Sequence, residues 1–166
     1  MYLTAGQYKG IKIEVPKNVR PTLSKTRQGV FNMLFSINAG DSFLDMFAGS
    51  ALMGLEALSR GYKVKEIEIS KEAAEIIKKN YSKINVKPDL IVGDALKYNS
   101  EKFDIVYIDP PWQNDYDSII NHAINLLKSD GVIVIEHEKE LTISDKLKII
   151  KSKKYGRSRI TLVCFS

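Results

Sequence analysis

"SFLDMFAGSALMGLEALSRG", residues 42–61, decides the fold of this chain. Its first six residues form a short apolar run that stops at "AGS". From residue 51 the pattern changes: Leu52, Leu55 and Leu58 recur at helical spacing until Gly61, a residue suited to ending a helix. A buried strand therefore passes into a helix through a glycine-bearing turn that starts beside an acid, Asp45.

The same alternation continues outward. "VKEIEI" (64–69) reads as a strand, and "SKEAAEIIKKNYSKI" (70–84) as a helix with Ser70 as its N-cap and Ala73, Ile77, Tyr81 and Ile84 on one face. "DLIVG" (89–93), "DIVYID" (104–109) and "GVIVIEH" (131–137) are further buried strands, and "YDSIINHAINLLK" (116–128) is a helix before the last of them. Near-continuously apolar strands separated by helices imply an α/β fold with a mostly parallel sheet covered on both faces. The tail, "KLKIIKSKKYGRSRITLVCF", has two strand-like halves around Tyr155 and Gly156, which predicts a closing antiparallel hairpin. Residues 1–38 read as a separate extension: a small hairpin, then the helix "TLSKTRQGVFNMLFSI", with Val30, Leu34 and Ile37 on one face and a costly Gly29 that marks a close contact or a bend.

Composition sets the outer bounds. The 166 residues suffice for one core without metals or disulfides, and 44% are hydrophobic. The single Cys164 lies in the apolar run "ITLVCF" and reads as a buried, inert thiol in a reducing compartment. No apolar run approaches the ~20 residues that span a bilayer, and the start lacks a signal-peptide core, so a cytoplasmic protein without a membrane partner is expected. His122 and His137 form no metal-ligand pattern, and no metal is expected. The net charge of +5 is concentrated at the ends. Residues 1–38 set Lys9, Lys12, Lys17, Arg20, Lys25 and Arg27 against Glu14 alone; residues 146–159 hold seven cations and no acid. Two solvated faces and a nucleic-acid footprint are about equally good readings of that distribution.

Ligands of open parallel sheets bind beyond the carboxyl ends of the strands. Acids stand there on four consecutive strands: Asp45, Glu68, Asp94 and Asp109. The turn "DMFAGS" offers Phe47, Gly49 and Ser50 as further contacts, with Gly49 allowing close backbone approach. The turn has neither the G-x-G-x-x-G spacing for a pyrophosphate nor a P-loop lysine. A ligand with ribose and adenine but no phosphate fits better: Asp45 for a cationic amino-acid portion, Glu68 for ribose, Asp94 and Ala95 for the adenine edge. S-adenosylmethionine has those parts.

"DMFAGSALMGLEALSRG" resembles the first motif of class I methyltransferases. It is most similar to that of the bacterial 16S ribosomal RNA guanine-N2 methyltransferases of the RsmD type. The similarity extends through "GQYKGIKI", "RPTLSKTRQGVFNMLF", "DPPW" and "KKYGRSRITL", and so covers nearly the whole chain. It implies a Rossmann-like class I methyltransferase fold over residues 39–166, with residues 1–38 facing RNA. S-adenosylmethionine would be the methyl donor. The target would be guanine 966 of 16S RNA, in the 30S subunit or an assembly intermediate, with Arg20, Thr22 and Arg27 facing the substrate. Ala51 stands where the pattern has a second glycine, and is expected to crowd the methionine end of the cofactor.

"DPPW" (109–112) resembles the fourth motif of enzymes that methylate exocyclic amino groups. Asp109 and the Pro110 carbonyl would accept the two amine hydrogens, and Trp112 would stack on the flipped base. Adenine-N6 or cytosine-N4 methylation of DNA would suit the same tetrapeptide, although 166 residues leave no room for the usual target-recognition domain. A protein-glutamine methyltransferase would favour asparagine at position 109. A catalytically weak RNA-binding assembly protein is the alternative from another class.

Overall fold

The computed structural model describes residues 1–111 and 114–166. In chain order the elements are α1 (Ser24–Ser36), β1 (Ser42–Asp45), α2 (Leu52–Ser59), β2 (Lys63–Glu68), α3 (Lys71–Ser82), β3 (Leu90–Val92), β4 (Phe103–Ile108), α4 (Tyr116–Asn125), β5 (Leu127–His137), β6 (Leu147–Tyr155) and β7 (Ser158–Phe165). A 3-10 turn, Ala95–Lys97, follows β3. The strands make one seven-stranded sheet in the order β3-β2-β1-β4-β5-β7-β6. β1 to β5 are parallel, and β7 runs antiparallel between β5 and β6. This is the Rossmann-like class I methyltransferase arrangement expected from the sequence.

The chain moves outward from β1 to β3, then returns to place β4 on the other side of β1. That reversal opens a crevice between the β1 and β4 tips, where open α/β sheets take their ligands. Alternation along the strands decides what faces it. Phe43, Ile105, Tyr107 and Val134 pack on one face with Val30, Phe31 and Leu34 of α1. Leu44, Val106, Ile108, Ile133 and Ile135 fill the other with Ile119, Ile120 and Ala123 of α4. Full burial of each large apolar side chain contributes about 1.5–3 kcal/mol, so α1 is held by the sheet core itself.

Several local readings are sharpened. Ser70 caps α3 by accepting the Ala73 N–H at 3.2 Å. Gly29 marks a close contact: a β-carbon there would stand 2.1 Å from the Tyr155 hydroxyl. The N-terminal hairpin reduces to a bridge between Tyr2 and Lys12, with Leu3 and Ile13 buried against α2 and α3. β5 starts four residues earlier than its apolar run, because Leu127 pairs with Phe103 across a register shift. Helical periodicity in "NLLK" yields there to sheet pairing. Between His137 and Leu147 the described chain forms no helix.

Candidate active site

A cavity of about 860 Å³ opens at the carboxyl ends of the parallel strands. One side is built by the loop after β1, the tip of β2 and the loop after β3; the other is built by the tip of β4 and by residues 16–22. Asp45, Phe47, Gly49 and Ser50 line it, as do Glu68, Asp94 and Ala95. Arg20, Thr22, Asp109 and Pro110 complete the sequence-expected set found there. Trp112 lies outside the described residues.

The first loop is tied down from beneath. Gly49 takes φ +60°, and a β-carbon there would meet nothing within 4 Å, so the backbone borders open space. Its N–H donates to Glu68 Oε2 at 2.6 Å, and Glu68 Oε1 accepts the Ser70 N–H at 2.9 Å. Glu68 thus clamps two loops as well as lining the cavity. Buried Asn80 donates to the Ser50 carbonyl at 2.9 Å and fixes the far end of the turn. Asp94 accepts the Leu96 N–H at 2.9 Å, which turns the chain at Ala95.

Ala51 follows in the left-handed region, φ 65°, ψ 21°, where a side chain costs about 1–2 kcal/mol relative to glycine-like freedom. Its methyl is fully buried with Ala48, Leu52 and Leu55, beneath the loop. Crowding of the cofactor's methionine end is therefore not what this methyl does: it faces the core, and the departure from glycine strains the backbone instead.

Acids gather on one face of the rim. Asp45 pairs in register with Tyr107, and Tyr107 with Val134, so Asp45, Tyr107, Asp109 and Glu136 alternate onto the same side of adjoining strands. Buried Tyr107 donates its hydroxyl to Glu136 Oε2 at 2.7 Å, and Thr22 donates to the same oxygen at 3.1 Å. Burial pushes the Asp45 carboxyl up to about 7, against the Phe47 N–H it accepts, and the Glu68 charge adds to the rise. Asp109 is raised well above the ordinary carboxylate range by burial, then by Glu136 and Asp45; Arg20 acts against them. Arg20 donates to Glu138 at 2.8 Å.

Arg27 corrects the sequence reading. It is fully buried, donating from Nε to Glu56 at 2.9 Å, and from its two terminal nitrogens to the Thr22 and Tyr2 carbonyls. Glu56 also accepts from the Thr4 backbone and pairs with Arg60. Arg27 falls three, four and seven residues before Val30, Phe31 and Leu34, on the stripe α1 turns to the core, so it cannot face the substrate. It anchors the carbonyl of Thr22 behind the cavity wall. Glu136 and Tyr107 were missed. Each was legible as a strand residue near a carboxyl end, "VIEH" and "VYID", but only the register between β4 and β5 brings them together.

The donor set suits S-adenosylmethionine. Gly49 presents bare backbone to the cavity, Asp45 and Glu68 present carboxyls suited to an ammonium and to hydroxyls, and among the described residues lining it there is no lysine to meet a phosphate. Among the described residues no cluster of His, Cys, Asp and Glu could hold a metal ion.

Residues 1–164 match the family model described as conserved hypothetical protein 95. The ribosomal RNA small subunit methyltransferase D of Buchnera aphidicola is 32% identical over 157 residues, covering 86% of this chain and 81% of that protein. This chain belongs to the methyltransferase D family. The methyltransferase D of Escherichia coli K12 is 31% identical over 141 residues, covering 81% of this chain and 70% of its own length. The solved "Putative methyltransferase yhhF from Escherichia coli" superposes with a TM-score of 0.88 at 27% identity, over 100% of this chain and 98% of that one. An S-adenosylmethionine-dependent methyltransferase from Clostridium acetobutylicum shares the fold at 14% identity, with a TM-score of 0.70 over 88% of this chain and 93% of that one.

Proposed function

We propose that this chain transfers a methyl group from S-adenosylmethionine to the exocyclic N2 of a guanine in 16S ribosomal RNA, the guanine at position 966 that the family resemblance implies, within the 30S subunit or an assembly intermediate. When bound, S-adenosylmethionine supplies an electrophilic methyl on a sulfonium. Asp45 would meet the ammonium of its methionine portion, Glu68 the ribose hydroxyls, and Asp94 and Ala95 the adenine edge.

One observation carries the reading: Asp109, at the tip of β4, lines the same cavity as the acids of the first two strands, followed at once by Pro110. A guanine amino nitrogen delocalises its lone pair into the ring and is a poor nucleophile. Asp109 accepts one amine hydrogen and the Pro110 carbonyl the other, and proline brings no competing N–H. Together they localise the lone pair and aim it away from the base plane. Once methylated, the nitrogen is cationic and must lose a proton, which Asp109 is placed to take. Glu136, one strand over, keeps Asp109 more basic by its charge and ties Thr22 and Tyr107 to the same rim. Thr22 and Arg20 wall the side from which the base would enter.

The test is a nucleoside digest. The protein would be incubated with S-adenosylmethionine and 30S subunits from a strain lacking this activity, and the RNA analysed by mass spectrometry. N2-methylguanosine at one position is expected. N6-methyladenosine, N4-methylcytidine or no new nucleoside would defeat the assignment.

A further inference from the structure

A second concavity lies between α1 and the outer strand β6. It is a groove of about 640 Å³. Lys25, Lys151 and Lys153 stand in its walls, with the neutral polar groups of Ser24, Gln28, Asn32 and Ser36 between them. Among the described residues, none of the three ammoniums is ion-paired. No carboxylate could neutralise them from the same elements, since residues 17–40 and 146–166 contain no Asp or Glu at all. Lys151 is partly buried and donates to Ser36 Oγ, and Lys153 lies 5.4 Å from the Tyr155 ring. Their ammoniums are therefore held in place on the protein.

We infer that this groove seats the sugar–phosphate backbone of the RNA whose base enters the cavity. This rests on the ribosomal RNA reading above. β6 runs antiparallel to β7, and β7 antiparallel to β5, so β6 ends at the same edge of the sheet as the acid rim. The groove's upper end, at Ser24 and Tyr155, thus adjoins Thr22 in the cavity wall. From there α1 carries the trough along its 13 residues, about 20 Å. Cations at intervals, with hydroxyl and amide groups between them, match what phosphates and 2′-hydroxyls require, and carry no base-reading element. The site would fix the register of the RNA and leave the choice of base to the cavity.

Replacing all three residues by glutamine (K25Q, K151Q, K153Q) keeps side-chain length and removes the charge. Affinity for 30S subunits from a strain lacking this activity would be measured by filter binding over a range of KCl concentrations. S-adenosylmethionine affinity would be measured by calorimetry. The expected result is roughly tenfold to a hundredfold weaker subunit binding near physiological salt. The slope of log K against log salt should shrink by about 2–3, the equivalent of three lost phosphate contacts, with the cofactor affinity unchanged. KM for subunits should rise while kcat holds. A charge-matched triple variant on other surfaces (K63Q, K78Q, K128Q) should lose much less. Equal losses in the two triples, or an unaltered salt slope in the first, would overturn the inference while leaving methyl transfer by the wild-type protein as evidence for the functional reading. If polyglutamate binds the wild type as tightly as the subunit does, and the groove variant loses both, the groove is an acidic-protein site and the inference fails. Absence of both subunit binding and methylation in the wild type would take down the functional reading itself.

Discussion

The Arg27–Glu56 centre under α1 and the acid rim at the strand tips both hold ionisable groups away from water, but only the first sets cations directly against its buried carboxylate. Glu56 is fully buried, and its two oxygens accept from Arg27, Arg60 and Thr4. Asp45 is as deeply placed and accepts a single described hydrogen bond, from the Phe47 N–H at 3.3 Å. In the first region the charges satisfy one another and fasten residues 2–4 and 22 to α2. In the second, burial and like charge raise the Asp45 and Asp109 carboxyls. Buried charge with its complement built in serves the fold. Buried carboxyls without a cation that line a cavity mark a place for a ligand.

The sharpest way to break this contrast is Arg27→Met. It leaves the buried Glu56 carboxylate with Arg60 as its one cation, and unfolding in urea should show a loss of about 3–5 kcal/mol. An unchanged midpoint would mean the centre is not structural. Asp109→Ala should do the reverse: stability and cofactor affinity hold, while single-turnover methyl transfer falls about a hundredfold to a thousandfold, the cost of one preorganised partner in a water-poor site. A wild-type rate would remove Asp109 from the mechanism.

Asp45 tests the same contrast through pH. Folded, it keeps its proton up to about 7, whereas an unfolded aspartate releases it near 4. Between those values the folded state binds more protons, so its stability falls as pH rises from about 4 to 7 and is level above. Asp45→Asn should flatten that slope, which for this group is on the order of 4 kcal/mol across the interval, about three pKa units at about 1.4 kcal/mol each. Thermal melts of both proteins at pH 5 and pH 8 would show it. Glu136→Gln removes a like charge beside Asp109, so the acid limb of the rate profile should move to lower pH by about one unit or less. A limb that stays in place would uncouple the two carboxyls. Smallest of all, Ala51→Gly relieves the left-handed strain but gives up a buried methyl, and its stability should change by no more than about 1 kcal/mol. A large loss of cofactor affinity in that variant would show that the alanine methyl shapes the loop from below.

How far the sequence could be read depended on distance along the chain. Period-two and period-3.6 patterns, with glycine and N-cap punctuation, are local signals, and they determined the alternating strands and helices, the parallel sheet and its closing hairpin. They also placed acids at the strand ends, because a strand's end is set by its own residues. Arg27 shows where that stops. A guanidinium on a helix reads as a surface group until Glu56, twenty-nine residues away, is brought against it, and the sequence pattern names no partner at that separation. Glu136 shows the complementary case: its role arises from lying one strand from Asp109 and within reach of both Tyr107 and Thr22. The methyl of Ala51 was legible as a substitution, but whether it pointed to ligand or core depended on which way the turn folded. Only the tertiary structure decided these points, because burial, charge pairing and register are properties of neighbours in space, and the partners of Arg27 and Glu136 are remote in the chain.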